Sequence, residues 1–255
     1  MKITDSSAFV TGSNRGIGQA FIIALLNQGA KKVYAGMRDA TAFQNILAKL
    51  PEEHRARLEP VTLDITNEEQ IQSAVAQAGD VTLLINNAGI ANYSGLISAD
   101  NLDSARQEME VNYFGTLRMV RAFAPILKKN GGAIANILSV ASLGSFPVLG
   151  SYSASKAALH SLTQGIRAEL AAQGTQVFGV FPGPIDTDMA KNFEMEKSPP
   201  NVIAEGTLKA IEQGVEDIFI DQMAVQFEKD YWSDPKSLEQ QLSTFLPLPA
   251  GEAAG

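Results

Sequence analysis

Two side chains at helical spacing carry the strongest chemical signal in this chain. Tyr152 and Lys156, in Tyr152-Ser153-Ala154-Ser155-Lys156, are i and i+4 and share one helix face about one turn apart. A free phenol of pKa ~10 is ionised in about one molecule in a thousand at pH 7. A neighbouring ammonium is expected to lower that pKa by roughly 1–3 units, making Tyr152 a usable proton donor and acceptor. Lys156 would also suit the ribose hydroxyls of a cofactor. Ser139 stands 13 residues before Tyr152, at the end of an apolar run, where its hydroxyl can polarise a substrate carbonyl. Each feature alone has a plainer reading: an ordinary helix surface, and a hydroxyl bonding its own loop.

A second constellation suits phosphate. Thr11-Gly12-Ser13-Asn14-Arg15-Gly16-Ile17-Gly18 lies between a short apolar run and a helical pattern. Glycines there let the backbone turn tightly against a pyrophosphate, and the helix N-terminus offers free N–H groups. The spacing is G-x-x-x-G-x-G rather than G-x-G-x-x-G, and a tight β-α turn would need the same residues. The choice of dinucleotide falls to the end of the next apolar run, Met37-Arg38-Asp39. Met37 cannot bind a ribose diol, and the planar fork of Arg38 can hold a 2′-phosphate. Arg15 would add a second cation. Asp39 keeps the alternative open, because an acidic residue there can bind the 2′-hydroxyl of NAD. The reading is NADP(H) preferred, NAD(H) possible.

The elements that must position these groups alternate. Strand candidates are 8–11, 32–36, 59–63, 81–85, 133–138 and 176–181, with a weaker one at 217–220. Most are continuous apolar runs, as expected of strands covered on both faces. Helix candidates are 17–28, 68–78, 102–129 and 153–172. Thr66, followed by Glu69, reads as a capping box for the second. Repeated β-α-β alternation predicts an α/β fold, a doubly wound three-layer sandwich with parallel strands and right-handed crossovers. Ligands of such sheets bind at the carboxyl ends of the strands, at the switch point.

Further motifs occur in order: Asn86-Asn87-Ala88-Gly89, Val111-Asn112 and Pro182-Gly183. With the glycine loop, Ser139 and the Tyr152–Lys156 pair, the chain resembles the short-chain dehydrogenase/reductase family over roughly residues 5–190. The resemblance implies a Rossmann-type fold of about seven parallel strands and hydride exchange between nicotinamide and a carbonyl or secondary alcohol. It implies that Tyr152 moves the proton, Ser139 orients the substrate oxygen, and Asn112 supports a water relay with Lys156. It assigns Asp64, beside Ile65, to the adenine ring, and Asn86 and Ala88 to the adenosine ribose. Thr187 would meet the nicotinamide carboxamide, with Gly89, Pro182, Gly183 and Ile185 alongside. Leu138 stands where many members carry a second serine. It also implies a homodimer or homotetramer through the helices carrying Ala122–Leu127 and Ala157–Leu159.

Composition bounds the rest. The chain has 255 residues, a net charge of -8 and no cysteine, which excludes disulfides and thiolate chemistry. The acidic balance disfavours nucleic acid. No apolar run approaches the ~20 residues of a membrane span, and the N-terminus carries no secretory h-region. We therefore expect a cytoplasmic protein with one domain over 1–246 and a frayed tail over 247–255. His54 and His160 lack ligand spacing, so no metal is expected. Leu143, Phe146, Val148 and Leu149 are expected to form an apolar wall, and Met189–Met195 a cover, over a moderately apolar small-molecule substrate. Tyr93 and Ser94 are weaker candidates. A non-catalytic NADP-binding regulator and an NAD-dependent alcohol dehydrogenase are the rival readings.

Overall fold

A computed structural model gives the three-dimensional structure and describes residues 1–39, 41–191 and 194–247. The tail expected at 247–255 falls, except for Pro247, outside the described residues. The strands are β1 (Ser7–Thr11), β2 (Lys32–Met37), β3 (Leu58–Thr62), β4 (Leu83–Asn86), β5 (Ala133–Ile137), β6 (Gln176–Val180) and β7 (Asp217–Ile218). They form a seven-stranded sheet of order β3-β2-β1-β4-β5-β6-β7, and every pairing is parallel. The direction of winding reverses at β1, so the switch point lies between β1 and β4, where a ligand cleft is expected.

The helices in chain order are α1 (Gly16–Asn27), α2 (Ala42–Leu47), α3 (Glu52–Arg55), α4 (Glu68–Gln77), α5 (Asp103–Glu108) and α6 (Thr116–Asn130). They continue with α7 (Gly150–Ala171), α8 (Pro200–Gln213), α9 (Gln222–Ser233) and α10 (Pro235–Leu242). Alternate strand residues feed two cores. Val10, Ala35, Ile85 and Val180 pack with Phe21, Leu25 and Leu208 on one face. Phe9, Leu84 and Ile134 pack with Met119, Phe123, Leu127 and Ile166 on the other. Full burial of each large apolar side chain contributes roughly 1.5–3 kcal/mol, so the rigid sheet comes from ordinary apolar packing. A third cluster sets Phe146 and Leu149 against Phe227 and Leu242 of the C-terminal helices.

Two local expectations need correction. The cap of α4 is Asn67, whose side chain accepts from Gln70 N at 3.1 Å. Thr66 instead donates its hydroxyl to Asp64, and Glu69 lies inside the first turn. The long helix expected over 102–129 is not uniform: α5 and α6 are joined by a π-helical stretch, Met109–Gly115. Such widened turns often mark functional sites, and this one carries Asn112. Of the candidate contact residues, Phe123, Leu127 and Leu159 are buried within the chain. No described helix is long and apolar enough to cross a membrane.

Candidate active site

At the carboxyl ends of the strands lies a cavity of about 710 Å³, with the glycine loop at one end and Ser139, Tyr152 and Lys156 within it. The glycine loop is shaped by its own backbone. Gly12 has φ +62° and Gly16 φ +54°, conformations that a side chain would strain. A Cβ on Gly12 would stand 2.8 Å from Ala88 Cα. Asn87 closes the other side, donating Nδ2 to Thr11 O at 3.0 Å and Gly12 O at 3.1 Å. Thr11 Oγ1 accepts from the backbone N–H of Asn87 and of Ala88, both at 3.0 Å. The T-G and N-N-A-G motifs are thus one hydrogen-bonded unit across the switch point. Arg15 precedes α1 without a side-chain cap, leaving the first N–H groups of the helix facing the cavity, an anion site by geometry and dipole.

The structure sorts the sequence candidates. Gly12, Asn14, Arg15, Gly16 and Ile17 line the cavity, as do Arg38, Asp64, Ile65, Ala88 and Gly89. Pro182, Gly183, Ile185 and Thr187 line it too. Four candidates do not. Ser13 is buried and donates Oγ to Gly36 O at 3.0 Å. Gly18 packs under Gly12. Asn86 turns into the sheet, donating Nδ2 to Asn136 Oδ1 at 2.9 Å, because its strand register puts it opposite Asn136. Asn112 accepts from Ile90 N and donates to Ile90 O and to Ser155 Oγ, all at 2.9 Å. Its amide therefore clamps the loop after β4. Ser13, Gly18, Asn86 and Asn112 shape the walls from behind rather than facing the space.

At the phosphate end, Asp39 Oδ1 accepts from Thr41 N and Thr41 Oγ1, at 2.9 and 2.7 Å. These bonds hold its carboxyl below the usual range and turn it into its own loop. Arg38 lines the cavity beside Asp64. Burial tends to raise the Asp64 carboxyl, but two bonds from Thr66 and the Arg38 charge leave it lowered. Arg15 donates Nη1 to Asp188 Oδ2 at 2.9 Å, with both side chains largely exposed.

At the other end, Lys156 donates Nζ to Ile137 O at 2.8 Å, and its Nζ lies 5.7 Å from the Tyr152 ring centroid. Burial holds the Lys156 ammonium down to about 8. Burial pushes the Tyr152 phenol up to about 12, against a hydrogen bond with Ser139 that lowers it. Desolvation is the leading cause of both shifts, and for Tyr152 it runs opposite to the acidification expected from a neighbouring ammonium. Ser139 is two residues past β5, and its Oγ accepts from Ala141 N at 3.1 Å.

Several lining residues went unread in the sequence. Asn92 lines the site from the loop after β4, and Met223 and Phe245 reach it from the C-terminal region. Phe245 packs edge-on against Phe146 at 5.5 Å between ring centroids. Asp221, buried, accepts from Gly183 N at 2.8 Å and from Ala224 N at 2.9 Å, fixing the Pro182-Gly183 turn. An N-cap aspartate before α9 was its one sequence signal. Tyr93 donates its hydroxyl to Met189 O at 2.6 Å. Met189 and Met195 line the cavity, whereas Asn192 and Phe193 of the expected cover lie outside the described residues. Among the described residues, no group of His, Asp or Glu is arranged to hold a metal ion.

Comparison with known proteins bears on this arrangement. An uncharacterized oxidoreductase of Staphylococcus saprophyticus is 32% identical over 221 residues, covering 84% of this chain and 94% of that protein. A crystal structure of a short chain dehydrogenase from Burkholderia cenocepacia in complex with NADP is 42% identical, with TM-score 0.88. The match covers 95% of this chain and 99% of that one. A short-chain dehydrogenase from Streptomyces avermitilis is 25% identical, with TM-score 0.81 over 94% of this chain and 97% of that one. The family model described as short chain dehydrogenase matches residues 6–198, and by that match, the fold and the ordered motifs, this chain is an oxidoreductase of the short-chain dehydrogenase family.

Proposed function

We propose that this chain is an NADP-preferring oxidoreductase acting on a carbonyl or secondary alcohol of a moderately apolar small molecule. One observation carries the reading: Ser139, Tyr152 and Lys156 share one cavity with the glycine loop and Arg38. The glycine loop and the N-terminus of α1 would hold the pyrophosphate, and Arg38 the 2′-phosphate, since Asp39 is tied to Thr41. The NADP in the Burkholderia cenocepacia relative supports the same choice. When bound, the nicotinamide supplies or takes the hydride.

The chain's own residues do the remainder. Gly12 and Gly16 let the backbone come close, so that cofactor and carbonyl are held as a near-attack pair, the largest contribution to rate. Ser139 donates to the substrate oxygen and stabilises the charge that grows there. Tyr152 gives its phenolic proton to that oxygen in reduction and takes it back in oxidation. Lys156 binds ribose hydroxyls and stabilises the phenolate. Asn112 holds the Ile90 segment that walls the site and supports the relay by which Lys156 and water return the proton. Phe146, Val148, Leu149, Met189, Met195 and Phe245 give the far end of the cavity its apolar character, and methionines adapt to varied shapes. The catalytic unit is one domain over 1–246, working in the cytoplasm as a homodimer or homotetramer.

The test is NADPH oxidation across a panel of apolar ketones, aldehydes and diketones, with NADH run in parallel. Turnover preferring NADPH is the expected result. Tight NADPH binding without turnover on any carbonyl would favour the regulator, and a preference for NADH would overturn the cofactor assignment.

A further inference from the structure

From the end of α10 to Pro247 the chain is seated on the walls of the site at three points. Leu242 packs over Gly144, where an added Cβ would meet its Cδ1. The carbonyl of Phe245 accepts from Val148 N at 2.9 Å, and Val148 lies between Ser139 and Tyr152 in the chain. Pro247 lies over Gly95 of the loop after β4, its Cγ 2.9 Å from where a Cβ would stand. The segment therefore joins two walls of the cavity and holds Phe245 between them. A side chain held in advance loses less freedom when a ligand arrives. The backbone of Phe245 is already engaged, since its N–H donates to Leu242 O at 3.1 Å. What Phe245 offers the cavity it lines is its ring.

That ring ends an aromatic row. Phe245 meets Phe146 edge-on at 5.5 Å, with 64° between the planes, and Phe146 stacks on Phe227 at 6.1 Å. Phe146 is buried, whereas Phe245 is 39% exposed, so the row stops at a ring with surface still uncovered. Met189, Met195 and Met223 line the same cavity. Thioethers and aromatic rings both interact specifically with a flat π-system, beyond the burial that any apolar group gains. We propose that Phe245 is a specificity-determining residue of the substrate end and selects carbonyl compounds, or the matching alcohols, that carry an aryl group. The aryl ring lies against Phe245 while the carbonyl meets Ser139 and Tyr152. The proposal rests on reading the cavity as a carbonyl site. A saturated ring of the same size would gain burial alone.

The experiment compares two inert amides, benzamide and cyclohexanecarboxamide, which place a carbonyl beside a flat ring and a saturated one. Their affinities for the NADP⁺-loaded protein are measured by calorimetry in the wild type, Phe245→Leu and Phe245→Tyr. The wild type is expected to favour benzamide, and Phe245→Leu to reduce that preference by about 2–10-fold, the worth of one aromatic pair. Phe245→Tyr keeps the ring and should hold the preference within about twofold. Leu246→Ser, at the exposed neighbour, should leave it unchanged. Equal loss of both affinities in Phe245→Leu would overturn the proposal, because the ring would then only pack. An equal shift in Leu246→Ser, or no measurable binding of either amide, would overturn it as well. Should Phe245→Leu fail to fold, an unshifted ratio in Phe245→Ile decides against it in the same way. Turnover of acetophenone and cyclohexyl methyl ketone with NADPH is followed alongside. A shifted affinity ratio without turnover would leave aryl selection standing and sink the carbonyl reading. Turnover of both ketones with a ratio unmoved by Phe245→Leu would sink only the role of Phe245.

Discussion

Lys156 and Tyr152 share a helix face, with the lysine Nζ 5.7 Å from the centre of the tyrosine ring, but the lysine proton is held by the carbonyl of Ile137. Burial of the Lys156 ammonium works against stability. An unfolded lysine keeps its proton to about 10.5 and Lys156 only to about 8. Below pH 8 the fold therefore bears the cost of a buried ammonium, and that cost lifts as pH rises from 8 toward 10.5. Lys156→Met is expected to stabilise the protein at pH 7 by on the order of 2 kcal/mol, or about 5 °C in Tm. The gain should vanish near pH 10, and turnover should be lost at every pH. Thermal melts at the two pH values check this; an equal gain at both would mean that charge is not the cause.

Arg38, which lines the cavity, is the residue we propose to separate the two cofactors. Its Ala variant is expected to weaken NADPH binding by roughly 10–100-fold, the worth of charge-assisted bonds to a phosphate. NADH binding should change by less than about threefold, since no phosphate contact is lost. Fluorescence titration with both cofactors measures the ratio, and equal losses would contradict the assignment.

Asp188 competes for the second cation. It pairs with Arg15 at 2.9 Å, and such an exposed pair is worth only about 0–1 kcal/mol. Asp188→Asn is expected to leave Tm within about 1 °C and to free Arg15 for the cofactor phosphates, tightening NADPH about threefold at low salt. Unchanged or weaker affinity would show that Arg15 has no part in binding.

Gly12 tests the cradle. With φ +62° and backbone atoms of Ala88 at 2.8 and 3.1 Å from any Cβ, Gly12→Ala should cost about 2–4 kcal/mol and abolish tight NADPH binding. Gly79 has nothing within 4 Å of a Cβ, so Gly79→Ala serves as the neutral control in the same melts and titrations.

Much of this was legible in the sequence because it depends on local pattern. Strands covered on both faces leave continuous apolar runs, and β1 to β6 fall within a residue or two of those runs. The glycine loop and the Tyr152–Lys156 spacing are dictated by backbone approach and helix geometry, both visible in spacing. What was hidden depends on three-dimensional neighbours. The π-helical stretch keeps nearly the same apolar periodicity as an α-helix, so the widened turn that carries Asn112 could not be read from spacing. Asn86 and Asn87 are indistinguishable by type, and the register opposite Asn136 decides which one faces the cavity. Thr66 and Asn67 are both good caps, and the bond between Thr66 and Asp64 settles the choice. The direction of the Tyr152 shift follows from burial, which spacing cannot report. Phe245 reaches the site only because α10 returns the chain to Phe146.

The central claim is that Tyr152 transfers the proton in an NADPH-dependent reduction. The most direct measurement is turnover of NADPH with a reactive ketone by the wild type and Tyr152→Phe, alongside NADPH affinity for both. We expect kcat to fall by about 10²–10⁴-fold, the usual worth of a general acid, with NADPH affinity kept within about threefold because the phosphate and ribose contacts of other residues remain. A Tyr152→Phe variant that still turns over at near wild-type rate would contradict the account.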